Sequence, residues 1–165
     1  MPGLLLALAV TLSSSFEGGN IGEVQHLGPA HLRIAIPGET DQDGRNRQAS
    51  WYYFRLDHVK DKALTLELTN LAGEYNYRPN KGSVTADTPP YFSNDNITWQ
   101  PVTDSTYDPE TPKLILRLTP AQDRVWIAHI PPYTNAHLDL LHRDVRRHPA
   151  FRETIIGRTP GGRPL

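Results

Sequence analysis

The chain has 165 residues, a formal net charge of −1, 38% hydrophobic and 21% charged residues, and no cysteine. This is the balance of a soluble globular chain with enough length for one real core, not of a disordered one. It excludes a disulfide framework, a thiolate nucleophile and a cysteine-based zinc site, and it argues against a dedicated nucleic-acid or anionic-membrane surface.

The 15 prolines and 12 glycines suit a loop-rich β-protein better than a helical bundle. At the N-terminus, Leu4 to Val10 is apolar, and Ala7-Leu8-Ala9 has the small-x-small pattern of a signal-peptidase site. No lysine or arginine precedes it. Residues 1–12 therefore read either as the remnant of a secretory signal or as a first strand, and the compartment stays open between cytoplasmic and exported. No segment is long enough to span a bilayer.

Strand patterns follow one another. In His31 to Ile36, Leu32, Ile34 and Ile36 fall on one face. In Gln48 to Asp57, Tyr52, Phe54 and Leu56 alternate with Trp51, Tyr53 and Arg55, which predicts a central strand covered on both sides. Ala63 to Asn70 is the clearest case: Leu64, Leu66 and Leu68 point inward, and Thr65, Glu67 and Thr69 to water. Lys113 to Thr119 repeats the pattern with Leu114, Leu116 and Leu118. Gly/Pro/Asn/Asp turns separate these segments, and together they predict an antiparallel β-sandwich.

The stretch from Asp123 to Thr134 marks a change of period. Val125, Ile127 and His129 share one strand face, and Trp126, Ala128 and Ile130 the other, so that Val125 to Ile130 seal the sandwich. Pro131 and Pro132 then remove two backbone donors and end the ladder. Tyr133 follows, and Thr134 is a good N-cap. Leu138, Leu141 and Val145 recur at helical spacing, Arg143, Arg146, Arg147 and His148 suit the C-terminal end of the helix dipole, and Pro149 stops it. Glu153 to Leu165 reads as a strand, a Pro-Gly-Gly turn and the start of a second strand. A helix and half a hairpin cannot bury their own apolar faces. The expected fold is thus mainly β: an antiparallel β-sandwich over residues 13–133, then one C-terminal helix and a truncated hairpin over 134–165 that begin a second domain.

The chemistry is sparse. Of seven histidines, His137 and His142 stand five apart on the helix and share no face, and His58 has only a turn acid, Asp61, at hand. Zinc needs three or four converging ligands, so the histidines read as surface or locally bonded groups. His129 reads as a buried or junction histidine bonded to backbone. Arg45 and Arg47 form a candidate surface clamp for a carboxylate or phosphate, with a solvated loop pair as the alternative. Trp51, Tyr52, Tyr53, Tyr75, Tyr77, Tyr91 and Trp99 would stack on sugars or bases if exposed together, but a small sandwich needs most such residues in its core. Asn96-Ile97-Thr98 matches a glycosylation sequon.

Five segments in order carry a resemblance: Ser14 to Asn20 (SSFEGGN), Arg45 to Arg55 (RNRQASWYYFR), Gly73 to Pro79 (GEYNYRP), Ile127 to Thr134 (IAHIPPYT) and Ile156 to Leu165 (IGRTPGGRPL). Nearly the whole chain from Ser13 on resembles the N-terminal region of the cytosolic-carboxypeptidase-like branch of the M14 zinc carboxypeptidases. The resemblance implies an N-terminal β-sandwich ahead of an α/β catalytic domain, with His129, Pro131, Pro132, Tyr133 and Thr134 at the joint. It implies a parent that hydrolyses a C-terminal peptide bond or a side-chain-linked Glu on peptide or protein substrates, with the sandwich partnering its own catalytic domain in cis. The family's zinc site uses a His-x-x-Glu pair, and none occurs in this sequence. No cofactor is therefore expected on this chain, zinc is expected in the parent's catalytic domain, and the chain alone should be catalytically silent. The other reading is a stand-alone β-sandwich module that binds carbohydrate or protein.

Overall fold

A computed structural model describes residues 8–41 and 43–165. Most of the residues 1–12 assigned to a signal remnant or first strand thus lie outside the described residues. The described part of that stretch leads into the first strand, β1 (Thr11–Ser13). The chain divides into two compact units, one up to Pro132 and one over Tyr133–Leu165.

The first unit is built from three sheets, with strands numbered in chain order. The first sheet runs β1, β6 (Tyr53–Asp57), β14 (Arg124–Ala128), β10 (Tyr91–Ser93), β11 (Gln100–Pro101). The second runs β12 (Asp104–Asp108), β13 (Lys113–Leu118), β7 (Leu64–Thr69), β3 (His31–Ala35), β2 (Val24–Gly28). These two sheets face each other over one core. Leu32, Ile34, Leu64, Leu66, Leu68 and Leu116 enter it from the second sheet, and Phe54, Leu56, Val125 and Ile127 from the first. The inward residues of the period-two pattern are therefore the fully buried ones. Each large aliphatic side chain so buried stabilises the fold by roughly 1.5–3 kcal/mol before entropic costs.

Two features depart from a plain antiparallel sandwich. β3 pairs with β7 in parallel, Leu32 opposite Leu66 and Ile34 opposite Leu68. A parallel pair needs a long crossover, and the connection between these strands is long enough to carry β6 and two short strands before it. Two strands of that crossover join two that follow β7 in the third sheet, ordered β4 (Glu39–Thr40), β5 (Arg47–Gln48), β8 (Gly73–Tyr75), β9 (Arg78–Asn80). Its hairpin turn holds Asn76 at φ 50° and Tyr77 at φ 60°. Both positive values are those a two-residue type I′ turn requires.

The second unit holds the single helix among the described residues, α1 (Asn135–Val145). Thr134 is its N-cap, extended at φ −107° and ψ 172°. His137 sits at the third helical position, and its Nδ1 accepts the Thr134 backbone N–H at 3.1 Å, closing a capping box with an imidazole in place of the usual carboxylate. A hairpin closes the unit: Ile156 N–H donates to Leu165 O, and Leu165 N–H to Gly157 O, both at 2.9 Å. Gly162, at φ 81°, makes the turn.

Candidate functional site

The joint is the first place to look for chemistry. β14 enters the core with Val125 and Ile127, and Ala128 is buried as well. Ile130, expected to help seal the sandwich, is 53% exposed, because β14 ends at Ala128 and the chain has already left the ladder. His129 is half-buried, and its backbone N–H donates to Tyr52 O at 3.0 Å. Its ring is not bonded to backbone as the sequence suggested: Nδ1 is buried with no hydrogen-bond partner among the described residues. Burial holds the His129 imidazole below the usual histidine range. Pro132 is buried, while Pro131 and Tyr133 are exposed. Tyr133 stacks on His137 with centroids 5.8 Å apart. Nothing in this constellation offers a nucleophile or a general acid at a reachable proton.

The Arg45 and Arg47 pair does not converge. Arg45 forms an ion pair with Asp43 at 3.0 Å. Arg47 donates to three backbone carbonyls: Ala72 O at 2.5 Å, Asn70 O at 3.1 Å and Ile36 O at 3.3 Å. Its guanidinium ties the third sheet to the chain leaving β3 and β7. A fork whose two terminal nitrogens already hold backbone carbonyls is a poor ligand clamp.

The aromatic residues of the Trp51 segment are structural too. Tyr53 is buried at the centre of an edge-to-face cluster with Phe16, Trp51 and Trp99, at 4.8, 6.1 and 5.9 Å. Its hydroxyl donates to Asn96 Oδ1 at 2.5 Å, so the sequon asparagine is already engaged. Trp51 Nε1 donates to Gly18 O at 2.6 Å. These rings do not form an exposed row.

Two charge networks went unread in the sequence. Alternation points Glu67 to water, yet its side chain is only 12% exposed. His31 Nε2 lies 2.9 Å from one carboxylate oxygen, and Arg33 holds the other at 2.9 Å. Parallel pairing puts Arg33 opposite Glu67, and the two long β3 side chains cover it. Burial raises the affinity of Glu67 for a proton, but the bonds from Arg33 and His31 outweigh this and hold the carboxyl below its usual range. On the first sheet, Asp57 likewise accepts Arg124 Nε on one oxygen and Arg55 Nε on the other, at 2.5 and 2.8 Å. The only signal was same-face spacing, and partners from a distant strand are invisible without the register.

The remaining histidines are locally engaged or exposed. His58 lies 3.4 Å from Asp123, His142 lies 3.6 Å from Glu153, and His148 accepts Ala150 N–H. Among the described residues no three histidine, cysteine, aspartate or glutamate side chains converge as a metal would require. No helix of the described residues is long and apolar enough to cross a membrane.

Comparison with known proteins gives the family of the chain. The profile of the family described as cytosolic carboxypeptidase N-terminal domain matches residues 12–130. The chain belongs to that family. The metallo-carboxypeptidase of Burkholderia cenocepacia superposes with a TM-score of 0.76 at 21% identity, over 95% of this chain and 38% of that one. A candidate carboxypeptidase A of Shewanella denitrificans gives 0.73 at 26% identity, over 94% and 38%. An uncharacterized protein of Zymomonas mobilis is 29% identical over 140 residues, 82% of this chain and 33% of its own length. The chain thus spans about one third of the curated relative it matches and under half of the solved ones.

Proposed function

We propose that this chain acts as the N-terminal accessory and folding domain of a zinc metallocarboxypeptidase that removes C-terminal residues from peptide or protein substrates. On this reading residues 13–133 form the accessory sandwich, and residues 134–165 are the first elements of an α/β catalytic domain. The single observation that carries it is the reach of the structural match. It includes the segment after the family profile ends at residue 130, since 95% of the chain superposes on a metallo-carboxypeptidase. The exposure of that segment supports it. No residue of α1 is buried, Leu138 and Leu141 of the stripe are 37% and 48% exposed, and Ile156 is 87% exposed. Such a surface is stable when a larger domain covers it.

On this reading the sandwich serves its catalytic domain in cis, and Pro131, Pro132 and Thr134 lie on the link between the two. Zinc would be held, and water activated, by residues outside this chain. The test is the coding sequence after Leu165. A His-x-x-Glu pair in frame is the expected result, and a continuation without one sinks the reading.

A further inference from the structure

The hairpin of β8 and β9 ends in a turn, Tyr75-Asn76-Tyr77-Arg78, that presents two tyrosines to solvent. Tyr75 is 61% exposed and Tyr77 68%, and no other aromatic side chain among the described residues of the first unit is exposed. We propose that this hairpin tip docks on the part of the parent enzyme that follows Leu165. The inference rests on the enzyme reading above, and names a contact through which the accessory domain meets its catalytic partner.

The tip is costly to build and firmly braced. Tyr77 stands at φ 60°, at the turn position that a type I′ hairpin gives to glycine, where a bulky side chain is strained. Strain of this kind persists only where the surroundings hold it, and it gathers at functional contacts. Here Asn76 N–H donates to Asn46 Oδ1 at 3.0 Å, and Tyr77 N–H to Arg45 O at 3.0 Å. The Tyr77 hydroxyl reaches Asp43 O at 3.4 Å. Asp41 fixes the bracing loop in turn, accepting Arg45 N–H at 2.8 Å and Asn46 Nδ2 at 2.7 Å. At the base of the hairpin, Gly82 packs so closely on the Leu71 carbonyl that no Cβ would fit. The two rings are thus displayed on a support whose ordering is already complete, which lowers the entropic cost of a contact.

The size of the patch chooses the occupant. At these exposures two tyrosines offer roughly 200–300 Å² between them. A free partner or a second copy of the chain needs about 800 Å² on each side to form a stable complex. A domain tethered on the same chain needs far less, because the tether holds it at an effective concentration on the order of millimolar. The solved carboxypeptidases supply such a domain: this chain covers 38% of each, and the greater part of their length lies outside the match.

The test compares the 165-residue chain with the chain extended past Leu165 into its catalytic residues. N-acetylimidazole, which acetylates accessible tyrosine hydroxyls, should label Tyr75 and Tyr77 readily in the short chain. In the extended chain it should do so at least about tenfold more slowly, since a closed contact admits the reagent only when it opens. Tyr77→Gly relieves the positive φ, so the urea midpoint of the short chain should stay the same or rise. The same substitution should lower the midpoint of the extended chain. Equal labelling rates in the two chains, or a Tyr77→Gly midpoint that moves alike in both, overturns the docking even where a His-x-x-Glu pair follows Leu165. A continuation without that pair overturns it together with the enzyme reading.

Discussion

Tyr52 and His129 meet edge to face, with ring centroids 5.5 Å apart and planes at 74°, and neither Tyr52 Oη nor His129 Nδ1 has a hydrogen-bond partner among the described residues. The pair lies where β14 gives way to the proline joint. A buried hydroxyl left unpaired costs desolvation without return, so removing it should cost little. Tyr52→Phe keeps the ring contact, and its unfolding midpoint in urea should stay the same or rise, by up to about 1 kcal/mol. A loss well above that would mean that the hydroxyl has a partner.

His129 makes the stability of the chain depend on pH. Its folded pKa is held below the unfolded value of about 6.5 by burial. The unfolded state therefore takes up a proton first, and stability is lost as pH falls from that value toward the folded one. His129→Phe should flatten this part of the profile while leaving stability at pH 8 little changed. Thermal unfolding followed from pH 8 to pH 5 checks it, and a variant with the original slope would contradict it.

The Glu67 network sets a second, lower window. Arg33 and His31 hold the carboxyl below its usual range, so its contribution is complete above the unfolded pKa of about 4.3 and is lost as pH falls through the folded value. Glu67→Gln should cost about 1–3 kcal/mol at pH 7, because two donors lose a charged acceptor in a nearly closed site. The gap from the parent protein should narrow toward pH 3. A constant gap would show that the loss is one of packing.

Arg47 is predicted to be a structural tie and not a binding group. Arg47→Ala should lower stability by about 1–3 kcal/mol through three abandoned carbonyls, and Arg47→Lys should recover little, since one ammonium cannot serve the same fork. Arg45→Ala, which removes only an exposed pair with Asp43, should be within about 0.5 kcal/mol of the parent. Urea unfolding of the three variants separates them, and the reverse order would refute the assignment.

Much of the sandwich could be read from period and punctuation. Leu64, Leu66 and Leu68 point inward because a half-covered strand allows nothing else, and Thr134 caps α1 because few residues do so well. What could not be read depends on which strands become neighbours. Glu67 looked solvated until β3 ran parallel to β7 and laid Arg33 over it. Arg47 looked like a clamp until the third sheet folded onto the carbonyls of Ile36, Asn70 and Ala72.

The accessory role is tested most directly by deletion in the enzyme read through Leu165 into its catalytic residues. The enzyme would be expressed with and without the first unit, and soluble yield, bound zinc and carboxypeptidase turnover measured together. The account predicts a soluble, zinc-loaded, active enzyme only when residues up to Pro132 are present. A catalytic portion that folds, binds zinc and turns over equally well without them would contradict it.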